Sequence, residues 1–130
     1  MGGRVLIVDD DWLNIEMMEA HLEAEYEIDS VNSGERALER VRQMPPDVIL
    51  MDVRMGGMDG YAATAALKSD EATCHIPVLL VTGFNTKDDI KRAVQAGVDD
   101  ILFKPIATPL MLLRVKTLMR LKQLHDQLNV

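Results

Sequence analysis

Cysteine is almost absent from this chain of 130 residues: Cys74 stands alone, so neither an internal disulfide nor a cysteine metal cluster can be built. Aromatic side chains make up only 4%, while 48% of the residues are hydrophobic, which leaves aliphatic side chains and nine Met to fill the interior. There is no basic run. The net charge is -7 with acidic residues spread along the chain, which argues against gripping nucleic acid by its phosphates. No window approaches the ~18 apolar residues of a membrane span, and Met1 to Arg4 leads straight into Val5-Leu6-Ile7-Val8. Neither a signal peptide nor a membrane anchor is expected, and a reducing cytoplasm fits the lone thiol. Internal repeats and low-complexity segments are also missing.

What is present is a regular alternation. Val5 to Val8 is a short aliphatic run closed by Asp9-Asp10-Asp11, the pattern of a strand buried on both faces. From Trp12 to Ala24 the residues Leu13, Ile15, Met17, Met18 and Leu22 recur near helical spacing. Tyr26 to Val31 reads as a strand. Ser33 to Met44 reads as a helix with Ser33 as N-cap and Ala37, Leu38 and Val41 inward, ended by Pro45-Pro46. A third strand over Asp47 to Met51 precedes a glycine-rich loop and a helix through Lys68. Ile76 to Thr82 is the fourth strand, Thr86 to Ala96 a helix capped by Gly97, and Asp100 to Phe103 the fifth strand. A last helix is expected with Thr108 as N-cap and Pro109 at its first position. Five strands, each followed by a helix, predict an α/β fold, a doubly wound five-stranded parallel sheet with helices on both faces. The flavodoxin-like order 2-1-3-4-5 is common for that element count.

Ligands of such sheets bind beyond the carboxyl ends of the strands, where the chain places Asp9, Asp10, Asp52, Thr82 and Lys104. Singly each has an ordinary explanation: helix-favouring acids, a strand-ending carboxylate, a β-branched residue, a solvated lysine. Asp11 is assigned only to the helix start. Together they are what phosphoryl transfer needs. Three converging carboxylates repel unless a divalent cation joins them, and an all-oxygen site suits Mg²⁺. A metal, a hydroxyl and an ammonium around one nucleophilic carboxylate would suffice.

Val8-Asp9-Asp10, the segment from Met51-Asp52-Val53-Arg54 to Met58-Asp59-Gly60, Val81-Thr82-Gly83 and Lys104-Pro105 resemble, in order and spacing, the signature blocks of response-regulator receiver domains of two-component signalling. The resemblance covers Arg4 to the final helix. It implies that Asp52 is the phosphoacceptor, that Asp9, Asp10, Asp52 and the Arg54 carbonyl hold Mg²⁺, and that Thr82 and Lys104 contact phosphoryl oxygens. It further implies room for phosphate beside Gly83, a cis Lys104–Pro105 peptide, and a sensor histidine kinase or phosphotransfer protein as partner. Such a chain is a switch and not an enzyme: it catalyses only its own phosphorylation and dephosphorylation, and any enzymatic output lies in a missing domain. Two departures stand out. Gly56 replaces a customary proline, and Ile101 occupies the switch position where many receivers carry Tyr or Phe, with Phe103 expected on the opposite face of the strand.

Three other readings are weighed. A haloacid-dehalogenase-type phosphohydrolase needs a second Asp two positions after the nucleophile, where Arg54 stands. A flavodoxin-like carrier needs a phosphate-cradling loop that Asp9-Asp10-Asp11 would repel. A degenerate receiver, acting only as a binding module, is disfavoured by the full set of site residues. Residues 1-108 are expected to form the receiver core and 109-130 the final helix, with Leu110 and Leu113 on the core and Leu118, Leu121, Leu124 and Leu128 continuing past it as a coiled-coil linker toward an output domain. A homodimer through that helix or the face near the fifth strand is expected, without nucleic acid or membrane as partners.

Overall fold

The computed structural model describes residues 2–129; Met1 and Val130, the outer limits of the two expected segments, lie outside the described residues. In chain order the elements are β1 (Arg4–Val8), α1 (Trp12–Leu22), β2 (Glu27–Val31), α2 (Gly34–Gln43), β3 (Val48–Asp52), α3 (Gly60–Ser69), β4 (Val78–Thr82), α4 (Lys87–Ala96), β5 (Asp100–Phe103) and α5 (Thr108–Leu128). The strands form one parallel sheet in the order β2-β1-β3-β4-β5, as expected.

Alternation along the strands feeds two cores. Leu6, Val8, Ile49, Met51, Val78 and Leu80 face α2, α3 and α4, meeting Ala37, Val41, Ala63, Leu67 and Ala93. Val5, Ile7, Val48, Leu50, Leu79 and Val81 face α1 and α5, meeting Ile15, Met18, Leu22, Met111, Val115 and Met119. Every residue of β3 and β4 is buried, which is why those strands read as unbroken aliphatic runs.

Helix ends follow local chemistry. Ser33 accepts the Arg36 N–H at 3.1 Å, Asp11 the Leu13 N–H at 3.0 Å, and Asp59 the Ala62 N–H at 2.8 Å, each satisfying a free amide of the first turn. Thr86, expected inside α4, is its N-cap, forming a capping box with Asp89. Gly97 closes that helix at φ 92°. The fourth strand begins at Val78 and not Ile76, because the Ile76 N–H turns back onto the Thr73 carbonyl. The Lys104–Pro105 peptide is cis.

α5 differs most from expectation. Its N-cap is Ala107, with no side-chain cap, and Thr108 already lies in the first turn beside Pro109. The inward stripe is Met111, Val115, Leu118, Met119 and Lys122, spaced for one helical face. Leu110 and Leu113 point to solvent with Leu121, Leu124 and Leu128, and Leu118 is core. The helix also stays docked further than expected: Lys122 is buried against Asp47 and Asp126, and only residues beyond His125 are exposed all round. In α1 the same phase effect leaves Leu13 and Met17 outside, with Ile15, Met18 and Leu22 buried. Ile101 and Phe103 share one side of β5, both lining a hollow with Ile90, Val94 and Val98, because residues two apart on a strand point the same way.

The loop after β3 depends on one close approach. The Gly60 N–H donates to the Val53 carbonyl at 2.8 Å, and a Cβ at Gly60 would run into the Asp52 carbonyl. Gly56 has open space where its Cβ would be and no positive φ. Gly60→Ala is therefore expected to cost about 1–3 kcal/mol in denaturant unfolding, whereas Gly56→Ala should stabilise by about 0.4–1 kcal/mol by restricting the unfolded chain.

Candidate functional site

Parallel strands running the same way bring their carboxyl ends to one edge, and β1, β3, β4 and β5 are neighbours there. That edge opens into a crevice of about 300 Å³ lined by Asp9, Asp10, Asp11, Asn14, Asp52, Arg54, Thr82, Gly83, Phe84 and Lys104. Of the residues marked by sequence, Asp9, Asp10, Asp52, Arg54, Thr82 and Lys104 are together; Ile101 is not, being half-buried on the α4 side of β5. Gly83 borders the crevice with nothing in the place of a Cβ, so space is left beside it.

The carboxylates are deeply placed. Asp9 is 0% and Asp52 7% exposed, Asp10 is at the surface, and one oxygen of each lies within 4.8 Å of the others. Lys104 is the facing cation, its Nζ 3.2 Å from Asp52 Oδ1 and 4.0 Å from Asp9 Oδ2. The Asp11 N–H donates to Asp9 Oδ1 at 2.9 Å, while Asp9 Oδ2 is buried with no hydrogen-bond donor. Burial first, and then the Asp9 charge, hold the Asp52 carboxyl above the usual range against the pull of Lys104. Burial likewise raises Asp9, opposed by the Asp11 N–H, Lys104 and Asn14. A buried oxygen without a donor, beside two further carboxylates, fits an oxygen-seeking divalent cation. The residues present therefore fit Mg²⁺, with Asp9, Asp10 and Asp52 as the side chains that could hold it.

Thr82 ends β4 and its Oγ1 accepts the Phe84 N–H at 2.9 Å, and the Arg54 guanidinium lies 4.8 Å from the Phe84 ring centre, within cation–π range. Sequence reasoning missed Asn14 and Phe84. Asn14 could have been found, since the third residue of a helix that begins at the end of β1 turns back toward that end; nothing in the sequence marks Phe84. On α1, Trp12, Leu13 and Met17 are exposed.

The family described as "Response regulator receiver domain" matches residues 5–116. The chain is 40% identical over 130 residues to the Response regulator PleD of Caulobacter vibrioides, covering 99% of this chain and 29% of that protein. It is 39% identical over 114 residues to the Polar-differentiation response regulator DivK of Brucella ovis, covering 87% of this chain and 93% of that one. Among solved structures, a putative response regulator from Chloroflexus aurantiacus superposes with a TM-score of 0.86 at 33% identity, over 91% of this chain and 98% of that one. The chain thus spans under a third of PleD and nearly all of DivK. No helix among the described residues is long and apolar enough to cross a membrane.

Because the folded pKa of Asp52 is raised, its contribution to stability is fully present below the ordinary value of about 4 and is lost as pH rises through the raised folded value. In metal-free protein at pH 7, Asp52→Asn is therefore expected to stabilise the fold by on the order of 1 kcal/mol. The gain should shrink as pH approaches ~4, and urea unfolding at the two pH values checks it.

Proposed function

The chain belongs to the response regulator receiver domain family of two-component signalling, and from that premise we propose that it is a phosphoacceptor switch working through Asp52. The observation that carries this reading is the gathering of Asp9, Asp10, Asp52, Thr82 and Lys104 from four strand ends in one crevice. A donor phosphohistidine of a sensor kinase or phosphotransfer protein presents its phosphoryl group there. An Asp52 oxygen attacks phosphorus, the bond to the donor imidazole nitrogen breaks, and its electron pair leaves with the imidazole. Lys104, already paired with Asp52 Oδ1, passes to a phosphoryl oxygen as the carboxylate gives up its charge. The Thr82 hydroxyl donates to another. Mg²⁺, held by Asp9, Asp10, Asp52 and the Arg54 carbonyl, would neutralise charge on the transferring group. Asp10, the exposed member, would be a direct ligand. The location proposed is the cytoplasm, and acceptance and loss of phosphate are the only chemistry assigned to the chain.

The test is intact mass after incubation with acetyl phosphate and Mg²⁺. One added phosphoryl group is expected, none in Asp52→Asn; equal mass gain in both would place the nucleophile elsewhere. Asp10→Ala should weaken Mg²⁺ binding by roughly tenfold or more, measured by titration.

We also propose that the output face is shared with a second copy. Ile90, Val94, Val98, Ile101 and Phe103 line an apolar hollow between α4 and β5. On α5, Leu110, Leu113, Leu121, Leu124 and Leu128 are exposed on the side away from the core. The steps of three and four among Leu121, Leu124 and Leu128 suit a seam between two identical helices. In a longer protein, residues 109-130 would serve as the linker from the receiver core of residues 1-108 to an output domain, which agrees with the chain's 29% share of PleD. Sedimentation with beryllofluoride should show a dimer that Leu121→Glu with Leu128→Glu dissolves; monomers in both cases would contradict the seam.

A further inference from the structure

We infer that the stacked imidazoles of His75 and His125 form a proton-responsive clasp that holds the end of α5 to the base of the domain and releases it as the medium turns mildly acidic. The rings lie with centroids 4.7 Å apart and planes at 14°, at the pole opposite the acidic crevice, where the segment leading into β4 meets the last turns of α5. The place matters more than the pair. His125 is half-buried, whereas residues 126–129 are all exposed, so this stack is the last contact that α5 makes with the domain. One turn earlier Lys122 is buried between Asp47 and Asp126, 3.6 Å and 2.7 Å away, and that ion cluster closes the helix onto the N-terminal end of β3.

The other partner is fixed from α3. Lys68 Nζ donates to the carbonyls of Cys74 and Ile76 at 3.1 Å and 2.8 Å and pairs with Asp99 at 2.8 Å. His75 therefore cannot follow its partner outward when the helix moves. The charged and titratable groups facing the stack are Lys122 and Asp126 on α5, with Asp47 behind Lys122, and Lys68 on α3, with Asp99 behind it. Both lysines oppose a proton on His75 and only Asp126 favours one; burial pushes His75 below its ordinary value, and His125, Lys122 and Lys68 push the same way. A proton on His75 would set a positive charge in the stack beside two ammonium groups, and moving the helix end into water relieves it.

Nearly parallel rings also argue against a shared metal ion. Imidazole lone pairs lie in the ring planes, and planes 14° apart run alongside each other without converging on one point between them.

The sign follows from linkage. A histidine whose folded pKa is lowered favours the closed state least where it is protonated. Holding the helix end is therefore fully effective above the ordinary value of about 6.5 and weakens as pH falls below it. Amide hydrogen exchange on the intact chain tests this, comparing pH 7.5 with pH 5.5 after correction for the intrinsic rate. Protection over residues 120–128 is expected to fall at the lower pH, while α1 (Trp12–Leu22) keeps its protection. His75→Phe retains a flat ring but no proton, and should protect the helix end equally at both pH values. Unchanged protection in the wild type, an equal loss in α1, or a pH-dependent loss persisting in His75→Phe would each overturn the clasp. Should His75→Phe fold poorly, His125→Phe serves the same comparison.

Discussion

Two carboxylates almost removed from water, Asp9 and Asp52, face a single ammonium, Lys104, at the end of a parallel sheet. Burying charge is costly unless it is paired, and one lysine cannot balance two anions with a third, Asp10, at the rim. Burial first, with the neighbouring carboxylate charges adding to it, raises the Asp9 and Asp52 carboxyls, and one Asp9 oxygen meets no donor. The rest of the molecule is arranged so that this group cannot relax. β1 and β3 are pinned side by side by a continuous register from Val5–Val48 to Val8–Met51, β4 fixes Thr82 opposite Phe103 of β5, and Gly60 lies against the Asp52 carbonyl so closely that no side chain fits. A scaffold that keeps anions together at a sheet edge fits an oxygen-seeking divalent cation.

The opposite pole is built by the same economy of charge but with the pairs complete. Lys122 has Asp47 and Asp126, Lys68 has Asp99 and two carbonyls, and the Arg4 N–H donates to Asp47. These contacts anchor α5, whose two apolar faces differ in burial: Met111, Val115, Leu118 and Met119 fill the core under β1, β3 and β4, and the outer leucines are exposed. The helix carries both stripes, and the His75–His125 stack lies at the end of its docked length.

The elements and their order were legible because the constraint on each was local. Unbroken aliphatic runs mark strands buried on both faces, Ser33 and Gly97 mark helix ends by hydrogen bonding and left-handed backbone, and acidic residues stranded after such runs mark the strand ends where ligands gather. Less legible was the rotational phase of helices rich in apolar residues on all sides. Leu110 and Leu113 are as hydrophobic as Met111 and Val115, so composition could not say which pair turns inward; packing against the sheet decides, with Met111 and Val115 in the core. Thr108 failed as a cap for a related reason, since the chain enters the helical conformation one residue earlier than its hydroxyl requires. Strand alternation puts Phe103 on the same side of β5 as Ile101, contrary to expectation; Asn14 follows from its place in the first turn of α1, whereas Phe84 becomes part of the site only through tertiary proximity.

Asp9 and Asp52 are buried carboxylates held close together, a pair that a divalent cation would relieve. Carbon-13 NMR titration of the aspartate carboxyl carbons reads this directly. Without metal, the Asp9 and Asp52 resonances should titrate above the ordinary carboxylate range; with saturating Mg²⁺, both should move well below it, with no comparable change at Asp29, which is paired with Arg40 away from the crevice. Ordinary titration of both groups in the metal-free protein, or indifference of both to Mg²⁺, would contradict the account.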